Sequence, residues 1–171
     1  MDVHRWFRGL PLAAVLALGC ASDDDANDDT NDDADDDDDD GNDTSAAVDC
    51  STEMRDDTYM LGLSKTGEQV VVSFVDAMPA PPARGDNTWT FEVMDLDEQP
   101  MDGMAVEATP FMPDHQHGTT VVATVTPGEN PGEYVATPVN LWMAGLWEVT
   151  LDFTLPDMTT DSVVFRFCVD P

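Results

Sequence analysis

Positive charge is nearly absent from this sequence. In 171 residues, 6 Lys and Arg stand against 36 Asp and Glu, a formal net charge of −30. A reader of phosphate backbones needs a basic face, so nucleic acid is excluded as a partner. The same balance argues against charge-driven docking on anionic lipid. Histidine and cysteine are scarce, with three of each. No G-x-S-x-G motif or Cys–His arrangement accompanies them, so a nucleophile has no base beside it. Carboxylates spread over an acidic surface do not locate an acid/base pair. The expectation is a protein that is not an enzyme. A sustained 3.6-residue apolar stripe is also missing, so helix content should be near zero.

The one continuous apolar stretch is short. MDVHRWFR brings Arg5 and Arg8, and GLPLAAVLALG follows as an apolar core too short for a permanent bilayer span. It leads through Leu16-Ala17-Leu18-Gly19 into Cys20, which resembles the lipobox of bacterial lipoproteins. Residues 1–19 are therefore expected to be a signal peptide. Cys20 is expected to be acylated and to anchor the chain to a membrane on the extracytoplasmic side, in the periplasm or at the cell surface. Ala21 stands where some enteric lipoproteins carry an inner-membrane retention Asp, which favours the outer membrane. Only Cys50 and Cys168 then remain, and an even pair in an oxidising compartment is expected to form a disulfide.

Residues 21–49 hold 15 aspartates, no basic residue and no aromatic residue. Such a segment cannot bury a core, and self-repulsion should extend it into a disordered tether able to reach roughly 100 Å. Asp36, Asp38, Asp40 and Gly41 match the opening of an EF-hand loop. Ala47 stands where the bidentate Glu is required, so weak cation condensation is the expectation and no defined calcium site.

Residues 50–171 differ in kind. Strand-like runs are expected at Thr58–Leu63, Gln69–Val75, Asn87–Met94, Ala105–Pro110, Thr119–Thr126, Glu133–Val139, Leu146–Phe153 and Ser162–Val169. TWTFEVMD, TTVVATVTP and LWEVTLDF alternate with period two, and turn signals such as Pro81-Pro82, Asp102-Gly103 and Asn130-Pro131-Gly132 punctuate them. Seven to eight short strands at this spacing predict an all-β, immunoglobulin-like sandwich.

The candidate chemistry lies in FMPDHQHGTT. His115 and His117 sit one residue apart, and in an extended segment such residues project to one side, so both imidazoles can chelate one ion. Imidazole suits copper, zinc and nickel, and thioether sulfur selects soft Cu(I). Met112 lies close by if Pro113 turns the chain, and Met143 lies in a second predicted loop. Each methionine has an equal claim as core filler, and the histidines can be read as exposed turn residues. A copper site built from Met112, His115, His117 and Met143 is one hypothesis. The other is an envelope interaction module that binds a protein or polymer without metal, with Trp89, Trp142 and Trp147 as candidates for an exposed patch.

MPDHQHGT, followed by PGEYVATPVNLWMAGLWEVTLDF, resembles the YtkA-like domain family, which is related to the FixH family. The matching residues are Met112, Pro113, His117 and Gly118, then Pro131, Gly132 and Tyr134, then Met143, Gly145, Trp147 and Val149. The resemblance runs from about Gly85 to Phe153 and implies a small extracytoplasmic sandwich linked to copper handling. His115 replaces the second methionine usual in the family, which makes the site harder and more tolerant of Cu(II) or Zn(II). FixH proteins also carry a transmembrane anchor, so a role in oxidase assembly is not carried over.

Overall fold

The computed structural model describes residues 48–171. The expected signal peptide, Cys20 and almost all of the Asp-rich tether fall outside them. Nine strands form: β1 (Ser64–Thr66), β2 (Val70–Met78), β3 (Gly85–Asp95), β4 (Ala105–Met112), β5 (His117–Gly118), β6 (Thr124–Pro127), β7 (Glu133–Leu141), β8 (Gly145–Thr154) and β9 (Thr160–Val169). They make two antiparallel sheets, one ordered β1-β2-β3-β7-β6 and one ordered β5-β4-β8-β9. The expected all-β sandwich is the fold, and among the described residues no helix is long and apolar enough to cross a membrane.

Period-two alternation decides which face of each strand turns inward. In β2, Val70, Val72 and Phe74 are buried; in β3 it is Trp89, Phe91 and Val93; in β9 it is Val163, Phe165, Phe167 and Val169. The sheets meet through aromatic edges. Phe74 sits 4.8 Å from Phe165 and 5.1 Å from Trp89, and Trp89 sits 5.5 Å from Phe167, all T-shaped. Each such pair adds about 0.5–1.5 kcal/mol beyond the area it buries. One polar side chain joins this core. Asn87 donates to the carbonyls of Ala83, Gly85 and Val139 and accepts from the Ala83 amide, so its burial leaves no polar atom orphaned.

Two expected strands are altered. Thr58–Leu63 forms no strand, because the chain turns at Leu61–Gly62 with Gly62 in the left-handed region (φ 80°), and β1 begins only at Ser64. The expected run Thr119–Thr126 keeps only Thr124 onward. Its first residues leave the sheet where the Thr119 hydroxyl accepts the Val121 amide and donates to Asn140 Oδ1. That local side-chain bond competes with a ladder the β-branched residues would otherwise join.

The ends of the domain are bolted together. Cys50, in a short 3-10 turn capped by Asp49, is disulfide-bonded to Cys168 in β9. Downstream the arm exchanges two hydrogen bonds with Arg166 of β9: the Asp57 amide donates to the Arg166 carbonyl, and the Arg166 amide donates to Asp57 Oδ2. These bonds cover the outer edge of a strand that would otherwise be open to pairing with another chain.

Candidate metal centre

β4 and β8 are direct neighbours, with Phe111 opposite Glu148. β5 pairs on the other side of β4, placing His117 opposite Met112 and Gly118 opposite Phe111. The histidine turn and the start of β8 therefore share one end of the four-stranded sheet. Gly118 permits the tight pairing, since a Cβ there would lie 2.7 Å from the Pro110 carbonyl oxygen.

The imidazoles come together, though not by strand alternation. Pro113 to Gln116 form a turn, Gln116 takes a left-handed φ of 54°, and the Gln116 side-chain Nε2 donates to the Pro113 carbonyl. The His115 and His117 rings end 5.7 Å apart, centroid to centroid, at an interplanar angle of 76°. His115 is exposed and His117 half-buried. His117 Nδ1 lies 3.1 Å from the Gly118 carbonyl oxygen. A carbonyl only accepts, so the neutral ring carries its hydrogen on Nδ1 and keeps the Nε2 lone pair for a ligand. Bonds of this kind fix the tautomer and orientation of metal-binding histidines. The Trp142 indole stacks on the same imidazole at 5.5 Å and 25°.

The methionines lie inward. Met112 has no exposed surface, and its methyl group is close to Gly145: a Cβ on that glycine would sit 2.7 Å from Met112 Cε. Gly145 also has φ 131°, a conformation open chiefly to glycine. Met143 is half-buried against the core, and its carbonyl accepts a 2.9 Å bond from the buried Trp147 indole. The spacing of Met143, Gly145 and Trp147 thus has a packing reason apart from any ligand. The same holds for Tyr134, whose hydroxyl donates to the Met101 carbonyl and accepts from the Met104 amide. Among the described residues no three His, Cys, Asp or Glu side chains converge as a ready-made site. The side chains brought together here are the two imidazoles; Met112 pairs with His117 along the β4–β5 ladder, and Met143 immediately precedes β8.

The sequence reading missed Asp114 and its partner Arg55. Arg55 donates to both Asp114 oxygens, at 2.8 and 2.7 Å, and holds that carboxyl below its usual range. Arg55 is one of few basic residues in a strongly acidic chain, but nothing local in sequence pairs positions so far apart.

Among known proteins the chain has one family match and distant structural likenesses. A copper-bound variant of FetP from uropathogenic Escherichia coli has a TM-score of 0.47 and 10% identity, covering 65% of this chain and 96% of that one. FetP from the same organism, as isolated after expression in the periplasm of E. coli, has a TM-score of 0.45 and 10% identity, covering 66% and 95%. No curated protein matches. The profile of the YtkA-like family matches residues 66–152, more than half of the chain, so this protein belongs to the YtkA-like family.

Proposed function

We propose that this is a lipid-anchored, extracytoplasmic sandwich that binds or delivers copper at the end of the sheet carrying His115 and His117. The observation that carries the reading is the imidazole pair: two rings 5.7 Å apart in a braced turn, one with its tautomer set by the Gly118 carbonyl. Met112 is fully buried, so an ion reaches the imidazoles before that thioether. Met112 and Met143 supply soft donors for Cu(I), while the imidazoles alone accept Cu(II). The role is binding and not catalysis. The Cys50–Cys168 bridge supports an oxidising compartment. Acylation at Cys20 and outer-membrane residence complete the proposal. The acidic tether then serves as a spacer and gathers cations near the domain.

A second reading has its own support. Trp142, at 47% exposure, and Val121, at 38%, line one cleft with Gly118 and leave apolar surface beside His117 that an envelope partner could cover. One titration separates the two. Trp142 stacks directly on His117, whereas Trp89 and Trp147 are buried. Stoichiometric Cu(II) is expected to quench the exposed indole's fluorescence, and Trp142→Phe removes most of that quenching while leaving affinity in place. Fluorescence unchanged by both Cu(I) and Cu(II) would overturn the copper reading and leave the patch as a docking surface.

A further inference from the structure

The arm that follows the tether does more than close the sandwich. Cys50 bonds to Cys168, and Cys168 lies opposite Leu146, the residue after Gly145. The arm is thereby anchored beside the methionine end of β8. Asp49 braces its first turn by accepting from the Ser51 amide at 3.0 Å. Glu53 then accepts from the Arg55 amide and Nε, both at 2.8 Å, which fixes the direction of the arginine. The guanidinium reaches across and grips Asp114 through two nearly parallel bonds, at 2.8 and 2.7 Å. Asp114 is the residue immediately before His115. Asp49, Thr52 and Glu53 of the arm and Asp114 and His115 of the turn line one cleft of about 180 Å³.

An exposed ion pair of this kind adds little to stability, because water screens it. Its geometry is another matter. A guanidinium held in two fork-like contacts fixes a carboxylate in orientation as well as distance, which an ammonium cannot do. His115 is exposed, with no side-chain hydrogen bond of its own among those described. The brace for its position comes from the preceding residue.

We infer that Arg55 is a positioning residue: through Asp114 it holds the His115 ring against His117, and so presets the pair proposed to bind copper. The inference rests on that functional reading for its consequence, but not for its geometry, so the two can fail separately. It also assigns Asp114 a structural task. With both oxygens engaged by Arg55, the carboxylate is withheld from the ion, and the site keeps its imidazole character.

The test uses the intact chain and two readouts. In the metal-free protein, through-space NMR contacts between the His115 and His117 rings are expected in the wild type. They weaken in both Arg55→Ala and Asp114→Asn, with the melting temperature little changed, and Arg55→Lys restores them only in part. Ring contacts that persist in both variants would overturn the inference, whether or not copper binds. In Cu(II) titrations, Arg55→Ala lowers affinity by about tenfold, the scale of losing a group that orients a ligand. That loss disappears when His115 is already alanine, since Arg55 then has nothing to position. A tenfold loss that persists without His115 would also overturn it. Weakened ring contacts in a protein that binds no copper would uphold the positioning role and sink the copper reading alone.

Discussion

Replacing both Cys50 and Cys168 by serine lowers the unfolding free energy by about 5 kcal/mol, the figure expected when a ring of about this size no longer restricts the unfolded chain. The bridge spans a sequence separation of 118 and links the first described turn to the last strand, so nearly the whole domain lies inside the ring. The loss corresponds to a fall in melting temperature of roughly 10–20 °C. The folded sandwich should keep its two sheets, because the aromatic contacts of Phe74, Trp89, Phe165 and Phe167 do not pass through the bridge. Calorimetric melting of the oxidised wild type and the double variant measures the difference. A loss below about 1 kcal/mol would mean that the hydrogen bonds between Asp57 and Arg166 already hold the ends together, and that the unfolded chain is compact without the bridge.

The second large effect concerns one carboxylate. Asp161, near the start of β9, accepts from the backbone amides of Glu68 (3.1 Å), Gln69 (2.6 Å), Val70 (3.0 Å) and Ser162 (2.8 Å). Two of these donors belong to the turn between β1 and β2 and a third, Val70, begins β2, so one side chain ties one sheet to the other. The turn closes tightly on it: a Cβ on Gly67 would stand 2.6 Å from its oxygens. Asp161→Ala strands these donors and is expected to cost about 3 kcal/mol, with Asp161→Asn milder because one acceptor oxygen remains. Partial burial alone would raise the pKa, but the amide bonds outweigh it and the group titrates below its ordinary 3.8. As acid is added, the unfolded chain therefore takes up the proton first. The stabilisation is fully present above about pH 4. It is lost as pH falls through the lower, folded-state value. Denaturant melts between pH 7 and pH 2 should show the wild type weakening below pH 4 while Asp161→Ala changes less. Parallel acid curves for the two proteins would show that the amides do not prefer the charged form.

The sandwich was legible because burial imposes a period of two. Runs such as TWTFEVMD state that period directly, and β3 and β8 fall where the alternation places them. What misled were β-branched and apolar residues in segments that do not pair. Thr119 to Ala123 has strand composition, but its own hydroxyl bonds draw it out of the sheet. Thr58 to Leu63 runs into a glycine that reverses the chain. The histidine pair was visible as a spacing, and its closeness comes from a left-handed turn at Gln116 that period-two reasoning does not contain. The burial of Met112 was open at the level of sequence, because the same thioether fills a core or binds a soft metal. Arg55 with Asp114 was not legible, since the contact joins residues 59 apart in the sequence. Trp142 could be named from sequence as a surface candidate, but its stacking on His117 is a product of β7 and β5 ending side by side.

The central claim is that the two imidazoles form the metal site, and calorimetric titration of residues 48–171 with Cu(I) and with Cu(II) tests it most directly. The aspartate tether is left out so that its carboxylates do not take up ions, and His115→Ala/His117→Ala is titrated alongside. The account predicts one-to-one, submicromolar binding of at least one oxidation state, weakened by more than about a hundredfold in the double variant. Binding that is only millimolar, or equal in the two proteins, would contradict it and return His115 and His117 to the role of turn residues.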